Sequence, residues 1–203
     1  MMNLPEYLIW IDCEMTGLDP EADCLVEIAV VITDFELNVM DEGLDLVIKP
    51  RPESLANMNE YVRNMHTTSG LIEEFDNGID LQTAETQVLE YIKKYVPAAK
   101  TAPLAGNTIG TDRMFIAKYM PALNEHLHYR NIDVSTIKEL SKRWYPRAYF
   151  QAPKKEGGHR ALADILESVE ELRYYRKSVF VEGSGPSTEE AQDLAQSLKA
   201  DKL

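Results

Sequence analysis

Two carboxylates, Asp12 and Glu14, stand two positions apart at the end of the apolar run Tyr7–Cys13. In an extended strand such residues share a face, so both acids point the same way. Like charges held together are costly unless a cation lies between them. An oxygen-only donor set suits Mg2+ or Mn2+. Taken alone, the pair also reads as the exposed end of a strand. Asp112 follows the glycine-bearing loop GNTIGTD and opens a helix, where an acid is ordinarily a cap or a dipole partner. His159 comes after Gly157 and Gly158, and Asp164 lies on the helix that follows, at the edge of an apolar stripe through Ala161, Ile165 and Ser168. A carboxylate at that edge is unusual, because an unpaired buried charge is expensive.

The order of these residues says more than any one of them. An Asp-x-Glu on the first strand, an Asp on a middle helix and a late His-x-x-x-x-Asp form one set. The set resembles the DEDD exonuclease superfamily in its histidine-bearing branch, whose fold is similar to that of ribonuclease H. The stretches WIDCEMTGLDP, PLAGNTIGTDRMFI, YRNIDVSTIKEL and HRALADILESVEELRYYR are similar to the oligoribonuclease family in particular, and the likeness runs from about Leu8 to Tyr175.

The resemblance implies a 3′→5′ exoribonuclease that cuts very short single-stranded RNA, chiefly dinucleotides, to nucleoside monophosphates. Asp12, Glu14, Asp112 and Asp164 are then expected to hold two divalent cations, Mg2+ or Mn2+, beside the scissile phosphate. His159 is expected to accept the proton of the attacking water, so activity should fall as the medium becomes acidic. The Gly157–Gly158 pair suggests a loop that moves this base. Substrate contacts are expected from Leu18 as an apolar wedge between bases and from His66 near the 3′ end. Arg130, Ser135 and Thr136 fall where the family caps the 5′ phosphate, chemistry that suits an arginine beside hydroxyls at a helix start. Tyr129 falls where a tyrosine of a second subunit stacks on the substrate, which implies a homodimer. Tyr61 departs from the pattern, since several members carry tryptophan there.

These residues need elements to hold them. Tyr7–Cys13, Leu25–Thr33 and Leu44–Lys49 read as three strands with short connections, an antiparallel meander. Short helices are expected at Asn59–Met65 and Ser69–Phe75, and a longer one at Leu81–Val96 with apolar residues at helical spacing. Pro103–Ala105 and Tyr129–Ile132 read as short strands. Helices are expected at Asp112–Tyr119, capped by Thr111, at Asp133–Trp144, capped by Asp133 or Ser135, and at His159–Lys177. Pro146–Gly158 reads as a loop. The sum is an α/β fold: a mixed central sheet, a three-strand meander plus parallel strands, flanked by helices. Residues 1–180 form one domain, and 181–203 read as a flexible polar tail with a weak helix over Thr188–Leu198.

Bulk properties narrow the function. The chain has 203 residues, 44% hydrophobic, and a formal net charge of -13. A protein that wraps long nucleic acid carries a basic footprint to neutralise many phosphates. This one repels polyanions on average, which favours a short substrate. Cys13 and Cys24 have no metal-binding spacing, the amino-terminal stretch lacks a signal-peptide pattern, and no apolar run is long enough to span a membrane. A reduced cytoplasmic setting is expected. His126 and His128 read as surface residues. The alternatives are a DEDD-type exonuclease acting on longer RNA or DNA, a non-catalytic nucleic-acid-binding module of the same fold, and a general phosphodiesterase that would leave the base-stacking residues idle.

Overall fold

A computed structural model describes residues 6–154 and 158–200. Strands β1 (Tyr7–Met15), β2 (Leu25–Asp34) and β3 (Leu44–Val47) come first. Helices α1 (Pro52–Asn57) and α2 (Glu60–Thr68), two 3-10 turns and α3 (Leu81–Tyr95) follow. The chain continues through β4 (Leu104–Gly106), α4 (Gly110–Tyr119), α5 (Pro121–His126), β5 (Asn131–Asp133), α6 (Val134–Trp144) and α7 (Pro146–Phe150). It ends with α8 (Ala161–Ser178) and α9 (Thr188–Ala200). The strands form one sheet in the order β3-β2-β1-β4-β5. β1–β2 and β2–β3 are antiparallel, whereas β1–β4 and β4–β5 are parallel. The mixed sheet and its meander are those expected.

Both faces of the central strands are covered, so β1 and β2 are apolar almost throughout. Ile9, Ile11, Cys13, Ile28, Val30 and Ile32 face a core with α3, α4 and α5. Leu8, Trp10, Ala29 and Val31 face the other way, onto Ala161, Ile165 and Val169 of α8. Trp10 meets its polar need inside that core, its Nε1 donating to Thr33 Oγ1 at 2.9 Å. The two-residue period therefore sends Asp12 and Glu14 to the α8 side of the sheet.

Several boundaries differ from expectation, each for a local reason. Helices α1, α5 and α7 each begin with proline near the first position, where its missing N–H costs nothing and its φ suits a helix. Proline as a strand stop or loop marker concealed them. Ser69–Phe75 forms 3-10 turns rather than a helix, entered through Gly70 at φ 77. Thr111 does not cap α4; the cap position is Ile109, and Thr111 already lies in the first turn. Asp133 does cap α6, accepting from Ser135 N at 3.0 Å. His126 is buried, not on the surface: its ring Nε2 lies 2.8 Å from Val96 O and satisfies that carbonyl. His128 is half-buried, and its Nδ1 accepts from Arg130 N at 3.1 Å. The tail carries a helix, α9, longer than the weak one expected, with its side chains exposed through Leu198.

Candidate active site

The site is assembled where β1 ends. Its last stretch is irregular: Glu14 pairs with Glu27, but Met15 pairs with Leu25, a bulge that shifts the register. Bulges re-aim side chains and take backbone groups out of the ladder. Here the Met15 carbonyl lies 2.9 Å from the Nε2 of His66 on α2. A carbonyl only accepts, so Nε2 carries the proton and Nδ1 is the unprotonated nitrogen. Nδ1 lies 3.9 Å from Glu14 Oε2. Burial holds the His66 imidazole below its ordinary pKa, which agrees with a neutral ring.

Asp112 arrives from the opposite side of the sheet. Gly106 ends β4 so close to β1 that a β-carbon would sit 3.1 Å from Ile11 O and 2.8 Å from an Ile109 methyl, so any larger residue would have to push the Ile109 side chain and the Ile11 carbonyl aside. Thr108 then takes a left-handed φ of 53, a strained setting for a branched residue. Its amide is held by Asp133 Oδ1 at 3.0 Å and Ser135 Oγ at 2.6 Å. The turn delivers Asp112 in the first turn of α4, where its Oδ1 accepts from Cys13 N at 3.0 Å. Asp112 is thus tied to the backbone residue between Asp12 and Glu14.

Helix α8 supplies the rest. Ligand atoms of Glu14, His159 and Asp164 all lie within 4.8 Å of one another. Asp12 shares a strand face with Glu14 but is not in that close trio, nor is Asp112. The electrostatics join them. Burial, with Glu27, Asp164 and Asp112 adding to it, pushes the Glu14 carboxyl up to about 8. Burial also pushes Asp112 up to about 7. Cys13 lies among Asp112, Asp12 and Glu14, and burial and these acids push its thiol up. It remains a free core thiol rather than a ligand. Carboxylates this crowded and this dry favour a bound divalent cation, and a set of carboxylate oxygens with one imidazole nearby fits a hard ion.

The expected substrate residues separate into two groups. Leu18 and Tyr129 are 73% and 72% exposed, open to a base. Tyr61 is exposed as well, and the Arg130 guanidinium lies 5.3 Å from the Tyr129 ring centre. His66, by contrast, has no exposed surface. It backs Glu14 instead of presenting a face to substrate, because the bulge carbonyl draws its ring inward. Ser135 and Thr136 are both engaged internally. Ser135 Oγ contacts Asn107 and Thr108, and Thr136 Oγ1 donates to Asp133 Oδ2 at 3.2 Å. Gly157 lies outside the described residues, and Gly158 has open space where a β-carbon would go.

Glu27 and Arg160 were not singled out from the sequence. Glu27 is fully buried on β2, opposite Glu14. Its Oε1 accepts from Arg160 Nε at 2.7 Å and its Oε2 from Ala161 N at 2.9 Å. The signal was there: a lone acid inside LVEIAVVIT must have a buried partner. Asn107 was missed too. Its amide donates to Ser168 Oγ at 2.8 Å and Glu171 Oε2 at 3.1 Å, joining the Thr108 turn to α8.

Sheet order, helices on both faces and an acidic cluster at a strand end define a nuclease of ribonuclease H-like, DEDD type. A family described as exonuclease, RNase_T, matches residues 9–172. An oligoribonuclease of Leifsonia xyli subsp. xyli is 67% identical over 198 residues, covering 98% of this chain and 96% of that protein. Those of Cutibacterium acnes and Streptomyces avermitilis are 58% and 55% identical, over 93% and 94% of this chain. Among solved structures, exonuclease I from Methylocaldum szegediense superposes with a TM-score of 0.60 at 19% identity, over 85% of this chain and 41% of that one. Exonuclease I of E. coli with a dA16 oligonucleotide gives 0.59 at 14%. These exonuclease I chains are more than twice as long, and they share the fold. The chain belongs to the oligoribonuclease family, 3′→5′ exoribonucleases that require divalent metal.

Proposed function

We propose that this chain removes nucleotides from the 3′ end of short single-stranded RNA and acts chiefly on 5′-phosphorylated dinucleotides. The observation that carries the reading is the convergence of Glu14, His159 and Asp164 within 4.8 Å beside the buried Asp112. Asp12, Glu14, Asp112 and Asp164 would hold two cations, Mg2+ or Mn2+. When bound, such ions offset the charge of the phosphodiester and ease ionisation of water. The chain's own groups do the rest. His159 takes the proton of the attacking water on an imidazole nitrogen. Leu18 rests against a base, and the exposed Tyr129 ring stacks on one. Arg130 binds the 5′ phosphate and so measures substrate length; the Ser135 and Thr136 hydroxyls join it by giving up their donations to Asn107 and Asp133.

Tyr129 completes the site of a second copy in this reading, so the active form is a homodimer. Exposed Trp144 at the end of α6, Tyr145 between the helices and Phe150 at the end of α7 support an apolar contact between copies. The described helices include none long and apolar enough to cross a membrane. Two buried free thiols suit a reduced cytoplasmic setting.

The test is a length series of 5′-phosphorylated RNA with Mg2+ or Mn2+, run beside Asp12→Ala. Turnover should peak at the dinucleotide and vanish in the variant. Equal turnover on long strands would remove the length reading and favour a general exonuclease. Activity independent of dilution below the dimer's dissociation range would remove the shared site.

A further inference from the structure

His159 has a backbone φ of 49, left-handed and unfavourable for a residue with a β-carbon. A base so placed must be held from outside. On its amino side, the space where a Gly158 β-carbon would go is open and offers no hold. The residue after it does. Arg160 Nε donates to Glu27 Oε1 at 2.7 Å, and Arg160 Nη1 donates to Glu74 Oε1 at 2.8 Å. The next amide, Ala161 N, donates to Glu27 Oε2 at 2.9 Å. Glu27 therefore accepts from two consecutive residues immediately after His159. It also stands on the strand rung directly across from Glu14.

We infer that Arg160, clamped between Glu27 and Glu74, is a positioning residue that fixes His159 against Glu14 and Asp164. The clamp joins three separate parts of the fold: the sheet, the 3-10 segment containing Glu74, and the start of α8. A fully buried glutamate has no water to fall back on, so it needs its partners in place. Arginine suits the task because its rigid planar fork presents Nε and Nη1 to two carboxylates in fixed directions, whereas a lysine offers one compact point charge. Asp45 on β3 adds a third negative charge acting on the guanidinium. With its two ends fixed in this way, the Glu14–Glu27 rung sets where the imidazole sits. Small errors of placement at a reacting centre cost large factors in rate.

The inference rests on the reading of His159 as base, so His159→Ala is measured alongside. Arg160→Gln, Arg160→Lys and Glu74→Gln are assayed for kcat and KM on a 5′-phosphorylated dinucleotide. Mn2+ binding is measured by calorimetry and folding by thermal unfolding. Arg160→Gln should lower kcat per Mn2+-binding site by about tenfold or more, with KM and Mn2+ affinity within about twofold. Arg160→Lys should recover part of that loss. Glu74→Gln leaves the buried pair intact and folds if Arg160→Gln does not; its kcat should fall about threefold at unchanged Tm. Unchanged kcat in Glu74→Gln and Arg160→Gln, or kcat, KM and Mn2+ affinity falling in step, overturns the clamp. If His159→Ala itself keeps full activity, the base reading fails and not the clamp.

Discussion

Glu14 and Glu27 face each other across β1 and β2 on the same side of the sheet, yet they serve opposite ends. Glu27 spends its oxygens on Arg160 and the Ala161 amide, whereas Glu14 faces His159 and Asp164. Glu27 is neutralised by the protein, whereas in the proposed reading Glu14 is left for a cation. On that reading, this asymmetry separates a structural acid from a metal-binding one in a cluster where both are buried.

The first prediction follows from that difference. Burial and neighbouring acids raise the Glu14 carboxyl from 4.5 to about 8, and burial raises Asp112 from 3.8 to about 7. Between those limits the folded, metal-free protein holds protons that the unfolded chain has released. Stability therefore falls as pH rises across this window and levels off above about 8. Added Mn2+ should raise Tm, and the gain should grow with pH because binding displaces those protons. Calorimetric unfolding in chelator and in Mn2+, at several pH values, checks it. Glu14→Gln should flatten the metal-free dependence; a Tm that rises with pH in chelator contradicts the argument.

Much of this was legible because strand and helix periods are fixed. The spacing of Asp12 and Glu14 placed both on one face, and the position of Asp164 beside Ala161 and Ile165 placed it on the sheet-facing side of α8. What stayed hidden depends on tertiary contact. The run around Glu27 shows that a buried partner is needed, but not that it lies 133 residues away. His126 reads as surface because its acceptor, Val96 O, belongs to the end of another helix. His66 turns inward because of a bulge, which no propensity records. Asp133 caps α6 while Ser135 holds the Thr108 turn, and only the cap has a sequence signature.

A second prediction concerns His159, whose ring lies close enough to Glu14 and Asp164 to act as ligand or as base. As base, its loss should lower kcat about a hundredfold or more while Mn2+ stoichiometry stays unchanged. As ligand, its loss should remove a binding equivalent. Calorimetric titration of His159→Ala with Mn2+, beside single-turnover cleavage, separates the two.

A third prediction concerns Arg130. Its guanidinium lies against the exposed Tyr129 ring, in a chain of net charge -13. Few phosphates are neutralised, so binding of a 5′-phosphorylated dinucleotide should have a shallow salt slope. Arg130→Ala should raise KM about tenfold, the loss of one charge-assisted phosphate contact, and leave Mn2+ affinity intact. KM for the dinucleotide without a 5′ phosphate should hardly move. Equal loss on both substrates would mean that Arg130 does not read the phosphate.

The last prediction sets Ser135 against Thr136, neighbours expected to do the same work. Ser135 Oγ accepts from the amide of strained Thr108 and donates to Asn107, whose own amide reaches Ser168 and Glu171 on α8. Thr136 makes one exposed bond to Asp133. Ser135→Ala removes a partner from the Thr108 turn that delivers Asp112, although Asp133 still accepts from that amide. It should cost about 1 kcal/mol of stability and also lower kcat, since the turn positions a candidate metal ligand. Thr136→Val should cost about 0.5 kcal/mol or less and affect only KM for the phosphorylated substrate. Urea unfolding gives the first pair of values and steady-state kinetics the second. If the two variants behave alike in both, the Asn107–Ser135 link carries nothing to the metal site, and the hydroxyls are interchangeable phosphate contacts.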